Sequence, residues 1–418
     1  MRGTLAKLAN SKPVWLIYRH TRKIWLRVVA FAVLAIATAV VAQALGQFLP
    51  PDLGQRLGAN AVDQVLTILA SSMLAVTTFS LSIAVSAYAS AASTATPRAT
   101  ALLQEDHTTQ NVLATFLGAF LFSLVGIVAL HAGYYSESGR LVLFFATGLV
   151  IALVVVALMR WISHLTDFGR MQDTLDRVEQ ATTEALERRL EAPWLGGTPL
   201  DAPAPKTATS VCSEITGYVQ HINMEALSDT AQDLGAEIWI DALPGSFVHP
   251  ASPLMQVSTG PLSDGHSRRL RTAFVCGKER DFEQDPRFGL IVLTEIASRA
   301  LSPAVNDPGT AIDVLGRLVR VLAPWRSDVE PVIDYPQIHV PTLRVDALLE
   351  IAVRPIARDG AGLYEVQLHL QDTLAALSHI HPDTFRDTAL FWSGDALERA
   401  RTAGLTDREL QALQDAAL

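Results

Sequence analysis

Residues 64–96 read QVLTILASSMLAVTTFSLSIAVSAYASAASTAT, and none of them is charged. A helix rises about 1.5 Å per residue and the hydrocarbon core of a bilayer takes about 20 residues, so this run can cross a membrane and continue beyond it. The Thr96-Pro97 step should end or kink the helix, because proline disfavours helical backbone at the residue before it. The run therefore predicts a membrane protein organised around this helix.

The same run carries hydroxyl side chains at helical spacing. Successive members stand three, four or seven residues apart and so share one helix face. We call them the hydroxyl stripe: Ser71, Thr78, Ser82, Ser86, Ser90 and Ser93. Small hydroxylated residues let helices pack closely in lipid. They can also line a water-filled path without charges. The stripe predicts either helix packing or a pore lining, and both interpretations stay open here.

Three further apolar segments, at residues 28–45, 112–130 and 141–159, accompany this run. Together the four segments predict an α-helical membrane domain with four transmembrane helices. A cleaved signal peptide is the competing interpretation of the first segment, since Ala42-Gln43-Ala44 resembles a cleavage site. We favour a helix that stays in the membrane, because its apolar run is longer than the core of a signal peptide.

Loop charges predict the orientation of these helices. Seven basic residues precede residue 28, and no acidic residue occurs before Asp52. The connections at 50–60 and 131–140 each contain one arginine. Basic residues concentrate on the cytoplasmic side of a membrane, and an even number of crossings returns the chain to that side. We therefore expect a multi-pass protein of the cell inner membrane whose N-terminus and C-terminal domain are cytoplasmic.

Charge is divided unevenly along the 418 residues. Residues 1–160 hold 11 Lys or Arg and 5 Asp or Glu, whereas the remainder holds 22 and 37. A basic membrane half joined to an acidic remainder fits a bilayer anchor that carries a soluble domain. An acidic remainder argues against nucleic-acid binding, which normally needs a basic surface. Two cysteines, Cys212 and Cys276, are too few for a disulfide framework and fit a reducing cytoplasm.

Composition and breaks divide the chain into five parts. We expect a basic cytoplasmic N-terminus at 1–27, the transmembrane domain at 28–161, a connector helix at 162–192, a Pro/Gly-rich linker at 193–210 and a cytoplasmic α+β domain at 211–418. Strands are predicted in that last domain at 211–222, 236–243, 247–257, 272–278, 338–344 and 348–353. Helices are predicted there at 224–234, after residues 285 and 307, and at 362–380, 385–402 and 406–418.

Two of these helices have clear start signals, because Asp285-Pro286 and Asp307-Pro308 each supply a cap followed by proline at the first helical position. Thr406 and Glu409 form a capping box for the last helix. A polar corner, which includes Ser302, Pro303, Asn306, Asp307 and Pro308, separates the first two helices. Capping and turning explain these residues; a subunit contact is the alternative.

The phrases around this corner carry a resemblance. They are Asp285-Pro286-Arg287-Phe288-Gly289 and residues 300–311, which read ALSPAVNDPGTA, together with Gly217-Tyr218-Val219 and Pro244-Gly245-Ser246-Phe247. With the serine-rich second helix, they resemble a bacterial predicted-membrane-protein family, domain of unknown function 2254. Ala304 departs from the glycine usual there. The resemblance implies a multi-pass inner-membrane protein with a cytoplasmic domain, and it brings no established activity.

Sequence motifs of enzymes are missing from the chain. It has no phosphate loop, no Gly-x-Ser-x-Gly, no His-Glu-x-x-His and no Cys-x-x-Cys. The nearest approach to a metal pair, His379 and His381, places the two side chains in different directions on a helix. We therefore expect no catalytic residue, no metal site and no cofactor.

Two functions stay open. The first is a homo-oligomeric, channel-like pore lined by the hydroxyl stripe. The second is a membrane-anchored scaffold or sensor whose cytoplasmic domain binds a protein partner.

Overall fold

Helices make up the first part of the chain, and a mixed α+β arrangement follows. The computed structural model describes residues 24–45, 61–135, 139–326 and 331–418. These residues form two units that divide between Thr174 and Leu175. We call them the N-terminal unit and the C-terminal unit.

Among its described residues, the N-terminal unit is helical. Its helices are α1 (Ile24–Leu45), α2 (Val62–Thr94), α3 (Thr100–Gln104), α4 (His107–His131) and α5 (Gly139–Leu165). Three spans are long and apolar enough to cross a membrane, namely Val62–Thr94, Thr100–His131 and Gly139–Leu165, and the apolar part of α1 is shorter, at Val28–Ala42. All four predicted segments lie in helices, whereas three of them reach membrane length in the described chain.

Helix α4 forms the centre of this unit and packs against α1, α2 and α5. Large side chains such as Leu66, Phe116 and Leu143 are fully buried in its core. Gly118 of α4 faces the ring of Phe31 on α1 so closely that an added Cβ would overlap the ring. Glycine therefore permits the close approach of these two helices, as small residues do in membrane proteins.

The predicted end of the serine-rich helix is confirmed. Helix α2 ends at Thr94, and the Ala95 amide still donates to the Ala91 carbonyl at 2.8 Å. The Thr96 hydroxyl then accepts from the Ala99 amide at 3.2 Å, which turns the chain at Pro97 into α3. The proline acts here as the sequence predicts, because it cannot continue the helical hydrogen bonding.

The predicted connector helix, 162–192, is interrupted. Helix α5 ends at Leu165, and α6 (Met171–Glu191) begins only after Gly169, whose φ is +77°. Glycine adopts this left-handed conformation without steric cost. A Cβ at Gly169 would also lie 2.7 Å from the Cβ of Ala87. Both the backbone conformation and the lack of space therefore favour glycine at this position. Apolar residues at helical spacing, Phe168, Met171, Leu175 and Val178, span the break, so the sequence predicts one helix. Such spacing does not register a single glycine turn.

The described residues of the C-terminal unit contain a five-stranded sheet. In spatial order its strands are β1 (Thr198–Pro199), β8 (Ile338–Val340), β4 (Ile238–Ile240), β6 (Pro253–Val257) and β2 (Thr209–Cys212). The pairs β1–β8 and β8–β4 are parallel, and the pairs β4–β6 and β6–β2 are antiparallel. Strand β1 and the start of β2 come from residues 193–210, which were expected to form a linker.

A second sheet in the same unit has the order β5 (Phe247–Val248), β3 (Gly217–Ile222), β7 (Phe274–Gly277), with antiparallel pairing. Helices α7 (Met224–Leu234) and α8 (Asp264–Thr272) lie between strands in the chain. The single strands predicted at 211–222 and 247–257 each prove to be two strands. In the first case the Ser213 hydroxyl bonds with the backbone of Ile215 and breaks the extended run.

Helices complete the C-terminal unit: α9 (Pro286–Ala300), α10 (Pro308–Leu322), α11 (Val345–Asp359), α12 (Tyr364–Ile380), α13 (Pro382–Thr402) and α14 (Asp407–Ala416). The predicted start of α10 and the capping box of α14 are confirmed. Helix α9 begins at Pro286 as predicted, but Asp285 does not cap it, because its carboxylate accepts hydrogen bonds from Arg280 and Arg287 instead. The strand predicted at 348–353 is wrong, because this run lies in α11. Its buried residues recur at helical spacing, and a short apolar run alone does not separate strand from helix.

Ion pairs hold α6 on α10 within the C-terminal unit. The side chain of Arg317 is 1% exposed and lies 2.7 Å from Asp176, 2.6 Å from Glu179 and 3.1 Å from Asp313. Arg320 donates to the same Glu179 at 2.6 and 2.9 Å. A buried arginine needs such partners, since an unpaired charge in the interior is costly.

Candidate functional site

All six residues of the hydroxyl stripe are exposed on α2. The residues that α2 buries, Leu66, Leu69, Met73 and Ala84 among them, recur on the opposite face of the helix. The stripe therefore takes no part in the packing of the N-terminal unit itself. It remains available to a second copy of the chain, to water or to lipid.

Four hydroxyls of the stripe, including that of Ser71, donate to carbonyls of their own helix. Thr78 donates to the Ala75 carbonyl at 2.9 Å, Ser82 to the Thr78 carbonyl at 3.0 Å, and Ser93 to the Ser90 carbonyl at 2.8 Å. Each bond uses the hydroxyl proton and leaves oxygen lone pairs directed away from the backbone. The stripe thus presents hydrogen-bond acceptors on a helix that carries no charge between residues 64 and 94.

The polar corner between α9 and α10 is explained locally. The Asp307 carboxylate accepts from the Thr310 amide at 3.1 Å and from its hydroxyl at 2.6 Å, which caps α10. Asn306 takes a left-handed conformation with φ of +50°, a region that asparagine tolerates. Ser302 donates its hydroxyl to the Arg299 carbonyl at 2.7 Å. Pro303, Asn306 and Asp307 are exposed, and Ser302 and Pro308 are half-buried.

A cluster that sequence reasoning missed lies at the start of α9. The carboxylate of Asp285 is 2% exposed and accepts from Arg280 Nε at 2.9 Å and from Arg287 Nε at 3.2 Å. Arg287 also donates to the Pro244 carbonyl at 2.6 Å. Two of the phrases that carry the family resemblance, Pro244-Gly245-Ser246-Phe247 and Asp285-Pro286-Arg287-Phe288-Gly289, therefore meet at one carboxylate.

Glycine makes this meeting sterically feasible. Gly245 has φ of +85°, and a Cβ there would overlap the Asp285 carboxylate. Its amide donates to the Val219 carbonyl at 2.7 Å, and the Val219 amide donates to the Ser246 carbonyl at 3.0 Å. The third phrase, Gly217-Tyr218-Val219, thus lies beside the other two. The recurrence of all three in one resemblance is the signal that could have predicted their contact.

The end of α6 completes the cluster. Arg188 donates to the Glu283 carbonyl at 3.0 Å, and Arg189 donates to the Pro341 carbonyl at 3.1 Å. Arg189 is 5% exposed. The pKa of Arg189 is lowered to about 10, mainly by burial and also by nearby Arg287, while Asp285 partly offsets the effect. We call Arg189, Arg280, Arg287 and Asp285 the arginine cluster.

Metal-binding arrangements are not found in the described ranges, where no group of three or more His, Cys, Asp or Glu side chains could hold an ion. His379 is exposed, whereas the His381 ring lies 2.7 Å from the Ala323 carbonyl and so joins the ends of α12 and α10. Cys212 and Cys276 are free thiols, and burial raises the pKa of the Cys276 thiol.

One known protein family matches the part of the chain that contains these residues. The family described as "Predicted membrane protein (DUF2254)" matches residues 21–376. The chain belongs to this family. The DUF2254 match includes the hydroxyl stripe, the polar corner and the arginine cluster. It ends within α12 and excludes α13 and α14.

Individual relatives of this DUF2254 protein are uncharacterized proteins of Mycobacterium bovis and Mycobacterium tuberculosis. Those of M. bovis and of two M. tuberculosis strains are each 29% identical to it over 223 residues, which is 51% of this chain and 42% of theirs. The match thus spans less than half the length of these relatives. No solved structure is significantly similar to this chain.

Proposed function

We propose that this DUF2254 protein is a non-enzymatic, multi-pass protein of the inner membrane that assembles as a homo-oligomer around a channel-like pore. In this proposal α1 completes a set of four crossings. The observation that carries it is the position of the hydroxyl stripe, which is exposed on α2 opposite the face that packs within the chain. Copies arranged about an axis would bring the stripes together.

The chemistry of the stripe suits a water-filled path. Hydroxyls bonded to their own helix expose lone pairs, and such oxygens can replace part of the hydration shell of a cation. A lipid-facing helix gains nothing from such a pattern, since lipid offers neither donors nor acceptors. We expect cations to pass in preference to anions.

Two neighbouring threonines provide a matched test. Thr78 belongs to the stripe and is exposed, whereas Thr77 is half-buried off the stripe and donates to the Met73 carbonyl at 2.6 Å. Threonine to valine keeps the side-chain shape and removes the hydroxyl. In planar bilayers holding the purified protein, Thr78→Val should lower single-channel conductance, and Thr77→Val should leave it unchanged.

Three results would contradict the pore. They are silent bilayers under both voltage and tension, equal conductance in the two variants, and a monomer in mild detergent whose stripe faces lipid. Ser82→Leu and Ser86→Leu extend the test, because a larger apolar side chain in a path of this kind should block it.

A membrane-anchored scaffold or sensor is the second candidate, and the exposed polar corner favours it. Asn306 projects into solvent at a corner whose turn its side chain does not need. Asn306→Gly preserves the left-handed backbone while it removes the side chain. A cytoplasmic protein that copurifies with the full chain but is lost from Asn306→Gly, with no change in Tm, would support the scaffold; equal recovery would oppose it.

A further inference from the structure

Two strips of exposed side chains run along α2. One is the hydroxyl stripe. The other, which we call the apolar strip, consists of Leu74, Leu81 and Val85, all exposed and spaced seven and four residues apart. Lipid tails offer no hydrogen-bond partners, so the apolar strip suits contact with lipid better than the hydroxyl stripe does. The hydroxyl stripe is thus available to face an assembly of copies.

Two large apolar side chains, those of Ile68 and Phe79, lie on the side of the hydroxyl stripe. Phe79 precedes Ser86 by seven residues, a step that returns to the same side of a helix after two turns. Ile68 precedes every member of the stripe, whereas Phe79 interrupts it. The Phe79 side chain is 68% exposed, more than any other large apolar side chain of α2.

An exposed ring at this position bears on the two interpretations of the stripe. Close packing between helices in lipid depends on small side chains along the contact. The neighbours of Phe79 on the stripe side, Ala75 and Ser82, are small, but the phenyl ring between them would hold another helix away. A water-filled path accommodates such a ring, because no helix has to pack against it. Phe79 therefore favours a pore lining over helix packing.

We propose that Phe79 is a hydrophobic gate, which closes the pore at rest. This inference rests on the proposed function and concerns how the same path opens and closes. With copies arranged about an axis, their Phe79 rings would form one apolar constriction. A narrow apolar constriction loses its water, and ions cannot shed their hydration shells to pass through it. Movement of the rings away from the axis would open the path.

The level of Phe79 along α2 suits this role. Asp63 is the last charged residue before the uncharged run, and Phe79 follows it by 16 residues. At about 1.5 Å per residue this distance is about 24 Å, which lies within a hydrocarbon core of about 30 Å. Hydroxyls of the stripe occur on both sides of this level, with Thr78 just before it and Ser82 after it. A wettable path would therefore lead to the gate from either side.

Currents through the full chain in planar bilayers test the gate. Phe79→Ser removes the ring and extends the hydroxyl stripe, so this variant should lose the closed state and conduct at rest, without tension. Leu81→Ser is the matched control, since Leu81 is also exposed on α2 but belongs to the apolar strip; it should stay closed at rest. Phe79→Leu keeps an apolar side chain at the same level and should stay closed as well.

Cysteine cross-linking tests whether the rings meet, and it needs no current. The two native thiols are first removed by Cys212→Ser and Cys276→Ser. In membranes treated with a short bismaleimide, Phe79→Cys in this background should then link copies of the chain. Leu81→Cys should link far fewer, because residues two apart lie on different sides of a helix. This measurement covers the case in which Phe79→Ser fails to fold.

The gate alone is overturned if the wild type conducts under tension while Phe79→Ser is as closed at rest as Leu81→Ser. It is also overturned if Phe79→Leu conducts at rest as Phe79→Ser does, or if Phe79→Cys links copies no better than Leu81→Cys. Silence of the wild type and of Phe79→Ser, both at rest and under tension, overturns the pore together with its gate. The two proposals therefore fail in different patterns.

Discussion

At the scale of single residues, two buried arginines of the C-terminal unit differ in their hydrogen-bond and ion-pair partners. Arg317 is surrounded by three carboxylates, those of Asp176, Glu179 and Asp313, at 3.1 Å or less. Arg189 donates to a neutral carbonyl, that of Pro341, and its Nε has no hydrogen-bond partner among the described residues. The first arrangement is self-sufficient and therefore structural.

Glu179 makes the first arrangement sensitive to acid. A hydrogen bond from Arg320 is the main reason that the pKa of Glu179 lies below its ordinary 4.5. A carboxyl whose folded-state pKa is depressed adds stability that is complete above its unfolded pKa and is lost as pH falls through the folded value. We expect Tm to decline as pH is lowered below about 4.5, and to decline less in Glu179→Gln.

Glu184→Gln is the control for this pH series, because Glu184 is an exposed glutamate on the same helix. It should follow the wild-type curve. Identical acid sensitivity in Glu179→Gln and the wild type would show that other carboxylates dominate.

At the scale of elements, close approach decides how the helices of the N-terminal unit pack. Gly118 brings α4 onto the Phe31 ring of α1, and Gly169 lets the turn before α6 lie against Ala87 of α2. Hydropathy reports neither contact, because a glycine in an apolar run looks like any other small residue. It is the neighbouring helix that gives each glycine its role.

Gly118→Ala tests this packing. The added methyl overlaps the Phe31 ring, and overpacking of this kind costs about 1–3 kcal/mol. Gly148→Ala on α5 is the matched control, since a Cβ there meets nothing within 4 Å. Unfolding in detergent should show a lower stability for the first variant and no loss for the second. Equal stability of the two would mean that α1 does not approach α4 in this way.

At the scale of the whole molecule, topology links the membrane spans to the rest of the chain. Three spans have membrane length among the described residues, and α1 adds an apolar helix whose described apolar part is shorter. Basic residues concentrated before residue 28 predict a cytoplasmic N-terminus. If α1 also crosses, the C-terminal unit lies in the cytoplasm; if it does not, that unit lies on the opposite side.

Reporter fusions distinguish these two cases. Alkaline phosphatase joined after residue 135 should be active, because four crossings place the connection between α4 and α5 outside the cytoplasm. The same enzyme joined after residue 418 should be inactive, and a green fluorescent protein there should fluoresce. The opposite pattern at residue 418 would remove one crossing and with it the proposed orientation.

Much of this protein could be predicted from the sequence. Uncharged, apolar runs predict the membrane spans. In lipid the side chains must be apolar, and the backbone must satisfy its own hydrogen bonds, as a helix does. Asp307-Pro308 and the Thr406 capping box marked helix starts, because caps act through residues close in sequence. Pro286 marked the start of α9 through its fixed backbone, without a cap from Asp285. The hydroxyl stripe followed from helical spacing alone. Its role in a pore or in packing between copies stays a prediction.

Tertiary structure alone decided the rest. The run at 348–353 lies in α11 rather than in a strand, because it packs against the helices α9 and α13 and not on a sheet. Arg189 joined Arg280, Asp285 and Arg287 only when the end of α6 met the start of α9, and the separation of about 90 residues in the chain conceals this. Helix caps, backbone conformation and hydropathy depend on residues close together in the sequence. The charge balance of a buried site depends instead on which distant segments meet in the fold.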